Sequence, residues 1–139
     1  MKQRENGTVI DGVTHYQHPN GGGLVAVTAT VASTAYVGSK ARVSDKAQVN
    51  GNARIYDEAR IYGNARVEEE AWVYGKSQVS GQAIVFDQAR VFENAEVNGR
   101  ARLCGKASVS GRAKVSGDAA ASGRAKIVGC DSITTGRHQ

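Results

Sequence analysis

From Tyr36 to Asp131 the chain divides into consecutive hexads with no residue left over: YVGSKA, RVSDKA, QVNGNA, RIYDEA, RIYGNA, RVEEEA, WVYGKS, QVSGQA, IVFDQA, RVFENA, EVNGRA, RLCGKA, SVSGRA, KVSGDA, AASGRA, KIVGCD. The second slot is aliphatic in every unit except that of Ala121. The sixth is alanine except at Ser77 and Asp131. The fourth is Gly, Asp or Glu except at Ser39. The register runs back through Val31 and Val25 and forward to Ile133. The sixth slot of one hexad and the second of the next lie two apart, as Ala-x-Val, which puts both side chains on one face of a strand. The x-Gly-x or x-Asp-x that follows is turn chemistry. A helix needs apolar spacings of three and four, which a period of six does not supply. Each hexad is therefore predicted to be a short strand plus a corner, with alanine where walls crowd near the corner and Val or Ile at mid-wall.

Composition agrees. Among 139 residues, 6% are aromatic, 17 are glycine and one is proline. Such a chain is poorly equipped to fill a globular core with bulky side chains. A repeat that stacks on itself buries surface by another route.

With this pattern the sequence resembles the hexapeptide-repeat proteins of the left-handed parallel β-helix class, above all the Ala-x-Val-x-Gly-Asn variety of bacteria and their viruses. The resemblance covers residues 24–134. It implies an all-β fold: a left-handed parallel β-helix of about six triangular coils, three hexads to a coil, with a small N-terminal cap. At ~4.8 Å per stacked strand the prism would be ~29 Å long. Residues 1–23 are expected to form the cap and lead-in loop. Gly7–Thr14 would be a strand or hairpin over the first coil, and His18–Gly23 the loop into it. Residues 135–139 are expected to be a frayed polar tail.

Net charge is +5, which favours anionic partners. No apolar run reaches the ~18 residues that span a bilayer, and the polar start Met1–Asn6 leads into no apolar stretch. The expectation is a cytoplasmic protein without membrane contact. Cys104 and Cys130 form no CxxC pair and are expected as reduced thiols.

With eighteen residues per coil, the outward residues sort by wall. The wall of Val43 carries Arg42/Ser44, Arg60/Tyr62, Gln78/Ser80, Glu96/Asn98 and Lys114/Ser116, and is polar. The wall of Val49 is mixed, with one apolar spot at Ile84 and Phe86. The third wall holds five of the chain's eight aromatic residues, in the pairs Tyr36/Gly38, Arg54/Tyr56, Trp72/Tyr74 and Arg90/Phe92; the corner after it adds Lys40, Glu58, Lys76, Asn94 and Arg112. Aromatic side chains of ~150–250 Å² each would form a patch that monomers rarely leave open.

Two uses of this wall follow. Tyr, Trp, Phe and Arg are interface residues, and the resemblance implies homo-oligomers, trimers above all, with ligands often held between neighbouring prisms. The same residues can recognise a small anionic ligand such as a signalling nucleotide: Trp72, Tyr74, Tyr56 and Phe92 would stack on a base, and Arg54, Arg90 and Lys76 would meet phosphate. A capturing protein of this kind would act as a sponge, in keeping with the viral side of the resemblance. Nucleic acid fits less well, because positive charge is spread over all walls and interrupted by acids. The single Thr28-Ala29-Thr30 does not make an ice-binding wall.

Catalysis lacks its usual residues. The acyltransferases and carbonic anhydrase-like proteins of the resembled class imply histidines within the coils, yet none occurs from Pro19 to Arg137. His15, His18 and His138 lie at opposite ends of the chain, and the hexads run without an insertion loop. His15-Tyr16-Gln17-His18 is an HxxH spacing, short of the three or four ligands that zinc requires; both histidines read as ordinary loop residues, with Asp11 the nearest carboxylate. Cys104 has Arg102 two residues away and no histidine. Asp45, Asp57, Glu69, Asp87 and Glu93 stand where glycine otherwise stands at a turn. Gly21–Gly23 is not followed by GK[ST] and so is no phosphate loop. The reading is a non-catalytic oligomeric binding protein without a cofactor or metal. The alternatives are a purely structural assembly module and an acyltransferase-like enzyme with a trans-acting site dependent on His15 or His18.

Overall fold

A computed structural model describes residues 7–10, 12–129, 132–133 and 137–138. The expectations for Asp11, Cys130 and residues 134–136 lie outside the described residues. Each hexad contributes one two-residue strand, and the strands join into three sheets because residue i pairs with residue i+18. Wall A runs β1 (Thr8–Ile10), β2 (Val13–Gln17), β3 (Leu24–Ala26), β6 (Arg42–Val43), β9 (Arg60–Ile61), β12 (Gln78–Val79), β15 (Glu96–Val97), β18 (Lys114–Val115) and β21 (Ser132–Ile133). Wall B runs β4 (Thr30–Val31), β7 (Gln48–Val49), β10 (Arg66–Val67), β13 (Ile84–Val85), β16 (Arg102–Leu103), β19 (Ala120–Ala121) and β22 (Arg137–His138). Wall C runs β5 (Tyr36–Val37), β8 (Arg54–Ile55), β11 (Trp72–Val73), β14 (Arg90–Val91), β17 (Ser108–Val109) and β20 (Lys126–Ile127). The result is an all-β parallel solenoid of about six coils.

Slot periodicity decides what is buried. From Val37 to Val115 the second-slot aliphatics are fully buried, as are the sixth-slot alanines between them, and together they fill the lumen. Their backbones are paired coil to coil: Trp72 N–H donates to Ala89 O at 3.0 Å, Tyr74 N–H to Val91 O at 2.9 Å and Lys76 N–H to Glu93 O at 2.8 Å. Ser77 stands in an alanine slot, and its hydroxyl satisfies itself on Tyr74 O (2.8 Å) and Val91 O (3.2 Å).

From Asp45 to Gly129 the corners hold a left-handed backbone at slot four, which Ser39 in the first hexad does not adopt. Glycine adopts it in most coils, and Asp45, Asp57, Glu69, Asp87 and Glu93 adopt it with φ of 57–64°. Asp is among the residues that tolerate this region best. Four of the five also accept a hydrogen bond from the glycine one coil below: Asp45 from Gly63 N–H (2.9 Å), Asp57 from Gly75 (3.1 Å), Asp87 from Gly105 (3.0 Å) and Glu93 from Gly111 (2.7 Å). The acidic corners are structural, in keeping with their glycine-replacing positions.

Ahead of the first coil the chain adds strands to wall A. β1 and β2 form an antiparallel hairpin, and β2 pairs antiparallel with β3. The loop to β3 closes over wall C: Val37 N–H donates to Asn20 O and Gly23 N–H to Val37 O. A Cβ at Gly21 or Gly23 would run into the Val37 carbonyl region, so that closure requires glycine. The histidines are not ordinary loop residues. His15 sits in β2, 3% exposed, with Nδ1–H donating to Val13 O; His18 is 7% exposed and its Nε2–H donates to Ala35 O at 2.9 Å. Nor is the tail wholly frayed, because β22 adds a parallel strand to wall B. Its register is 17 residues from β19 rather than 18 (Ala120 opposite Arg137), so the last turn of chain is one residue short.

Candidate functional site

Wall C is the surface whose side chains are arranged among themselves rather than pointing singly into solvent. Strands β5, β8, β11 and β14 stack in register, Tyr36 on Arg54, Arg54 on Trp72, Trp72 on Arg90. Outward positions in neighbouring coils are one strand spacing, ~4.8 Å, apart. That is aromatic stacking distance, so the sequence spacing of eighteen builds a ladder. Tyr36 meets Tyr56 with centroids 5.3 Å apart, Tyr56 meets Trp72 edge-on at 6.0 Å, Trp72 meets Tyr74 edge-on at 6.3 Å, and Tyr74 stacks on Phe92 at 5.0 Å with an interplanar angle of 5°.

Two arginines complete the ladder. The Arg54 guanidinium lies over the Trp72 ring at 5.7 Å and that of Arg90 at 4.9 Å. Arg54 also donates from Nη1 to the Tyr56 hydroxyl at 3.1 Å. A guanidinium laid on an indole is held by its face, and its in-plane N–H groups stay directed to the rim. The arginines are exposed and the five aromatics half-buried. The sequence expectation of a bare apolar patch is thus corrected in degree: the rings cover part of one another because a ladder at strand spacing packs against itself.

The two edges of wall C differ in charge. At the corner toward wall A a groove of about 680 Å³ is lined by Lys40, Arg42, Arg60 and Lys76, with Glu58 the acid among them. At the corner from wall B a groove of about 540 Å³ is lined by Glu69, Glu70 and Asp87, with Lys106. The structure therefore brings Tyr36, Arg54, Tyr56, Trp72, Tyr74, Arg90 and Phe92 into one cluster and sets Lys76 beside it. Sorting residues by wall misses Arg42 and Arg60, which count as wall A residues but line the same groove as Lys40 and Lys76. Their position two or three residues after a corner was the available signal.

Other sites offer less. Among the described residues no group of three or more His, Cys, Asp or Glu side chains converges as a metal site. Cys104 points outward on wall B, half-buried, its thiol 3.8 Å from Ala121 O. Burial pushes its pKa up, and the nearby Asp87 carboxylate pushes it further the same way. That is the opposite of what activates a nucleophile.

Residues 59–75 match the family model described as the YdcK beta solenoid repeat. The match spans β9, β10 and β11 and ends at Gly75, just before Lys76, and it agrees with the solenoid architecture. No curated protein and no solved structure matches the chain.

Proposed function

We propose that this chain is a non-catalytic, self-associating binding protein of the left-handed hexapeptide-repeat type, acting in the cytoplasm, and that wall C is its subunit-contact face. The observation that carries the reading is the ladder Tyr36–Tyr56–Trp72–Tyr74–Phe92 with Arg54 and Arg90 laid on Trp72. The lumen is complete without these side chains, so coil stacking does not require five aromatics on one wall. Aromatic residues and arginine are what protein interfaces enrich.

A second reading has its own observation. The groove of Lys40, Arg42, Arg60 and Lys76 runs along the edge of the ladder. Its cations lie at the corner that follows the ladder strands, and cations together with aromatic faces are the combination that holds a small anionic ligand such as a nucleotide. In that reading the assembly sequesters a signalling nucleotide, as a viral sponge would. A structural module without ligand and an acyltransferase-like enzyme remain the competing functions; the latter would need His15 or His18, which spend one ring nitrogen each on Val13 O and Ala35 O.

Native mass spectrometry of the full chain as purified tests both readings. An oligomer is expected, and Trp72→Ala with Arg90→Ala should reduce it to monomer. A few hundred daltons of extra mass per site would support capture. If the double variant keeps the wild-type mass and any bound ligand, wall C is not the functional face.

A further inference from the structure

Wall C carries an order that stacking alone does not impose. Down four coils its first outward column reads Tyr36, Arg54, Trp72, Arg90. The second reads Gly38, Tyr56, Tyr74, Phe92, and the exposed corner column beside it reads Lys40, Glu58, Lys76, Asn94. Each column becomes its own complement when reversed. Laid against itself head to tail, the first column sets Tyr36 opposite Arg90 and Arg54 opposite Trp72, so every aromatic ring meets a guanidinium. The second sets Phe92 opposite Gly38, large against small, and Tyr56 opposite Tyr74. The corner column sets Glu58 opposite Lys76, and Lys40 opposite neutral Asn94.

Only one symmetry superposes the columns this way. A two-fold axis in the plane of the wall, perpendicular to the prism axis and midway between Arg54 and Trp72, makes each column face its own reverse. A two-fold axis parallel to the prism instead sets each corner against the opposite corner at the same height. Lys76 then meets Glu70, but Arg112 meets Lys106, and the like charges oppose what the unlike charges gain. The reversed arrangement gives two Glu58–Lys76 pairs per dimer and no like-charged pair in these columns.

We propose that the occupant of wall C is a second copy of this chain, docked antiparallel about that axis, with the Glu58–Lys76 pairs fixing the register. An isologous contact of this kind closes at two subunits, in place of the trimer implied by resemblance. The inference rests on wall C being the self-association face.

The test is a charge swap read by sedimentation equilibrium of the full chain. Glu58→Lys and Lys76→Glu, each alone, are expected to weaken the dimer by roughly tenfold, about 1.4 kcal/mol. The double variant Glu58→Lys/Lys76→Glu should recover most of the affinity, and an equimolar mixture of the two single variants should form mixed dimers. In a parallel dimer or trimer the double variant would set a carboxylate at position 76 against Glu70 and stay weak. As a second readout, a nitroxide on Ser108→Cys, with Cys104 and Cys130 replaced by serine, should show an inter-label distance beyond ~24 Å, five coils of ~4.8 Å. A parallel pair would bring the labels toward the ~10 Å spacing of packed sheets. A wild-type monomer would overturn wall C as the contact face. A trimer, an unrestored double variant or a short label distance would overturn the antiparallel pairing alone.

Discussion

At the corners single residues decide whether a coil can turn. Asp57 holds φ at 57° and accepts a hydrogen bond from Gly75 N–H. Asp57→Ala loses the bond and keeps a strained Cβ, for an expected loss of about 1–2 kcal/mol. Asp57→Gly loses the bond but relaxes the backbone, and should cost about half as much. Gly63→Ala is expected to be worse, about 2–3 kcal/mol, because φ is 68° and the new Cβ would lie 2.8 Å from Gly81 N. Urea midpoints of the three variants order these effects. On wall B the Cys104 thiol is held protonated by burial and by Asp87. Its alkylation at mildly alkaline pH should be slower than that of an unstructured thiol, and Asp87→Asn should speed it. Equal rates before and after that substitution would remove the electrostatic part of the account. The acidic corners were legible as turn residues. Their partners were not, because the bond is made to a backbone group eighteen residues away.

At the level of elements, the N-terminal hairpin extends wall A and the loop after it pairs with wall C at one end of the solenoid. His18 Nε2–H and the Asn20 side-chain amide both donate to Ala35 O, which ties the loop to the corner before β5. In a solenoid each coil is stabilised by its neighbours, so loosening this tie should act locally. His18→Ala with Asn20→Ala is expected to speed amide exchange through residues 24–41 at least tenfold, a change of about 1.4 kcal/mol in local opening. Exchange in β12 to β17 should hardly change. A uniform increase along the chain would mean that the cap stabilises the whole prism cooperatively. From the sequence, Gly7–Thr14 could be read only as a strand or a hairpin. The histidines' bonds could not be read, because their HxxH spacing carries no information about which carbonyl the folded loop brings within reach.

For the whole molecule, folding and association use different faces. Lumen residues hold the coils together, and the ladder on wall C lies outside them. The Trp72→Ala/Arg90→Ala variant should therefore lose its assembly while the melting temperature of the remaining monomer, measured at a concentration where the wild type is also dissociated, shifts by only a few degrees, since both side chains leave solvent-facing positions. A collapse of the melt would show that the ladder is part of the fold rather than an interface.

The hexads determined the strands and the lumen residues, because a period of six with a strand alternation leaves inward and outward positions no freedom; the three walls, and with them the clustering of aromatics on one, followed from the sequence through the three hexads per coil that the resemblance implies. Tertiary structure decided the remainder. It set Arg54 and Arg90 over the Trp72 ring, put Arg42 and Arg60 in one groove with Lys40 and Lys76, paired corner carboxylates with glycine N–H groups one coil below, and added β22 one residue out of period. These depend on rotamers, on distances across corners and on close backbone approach, and a periodic pattern specifies which face a side chain occupies without specifying how it lies there.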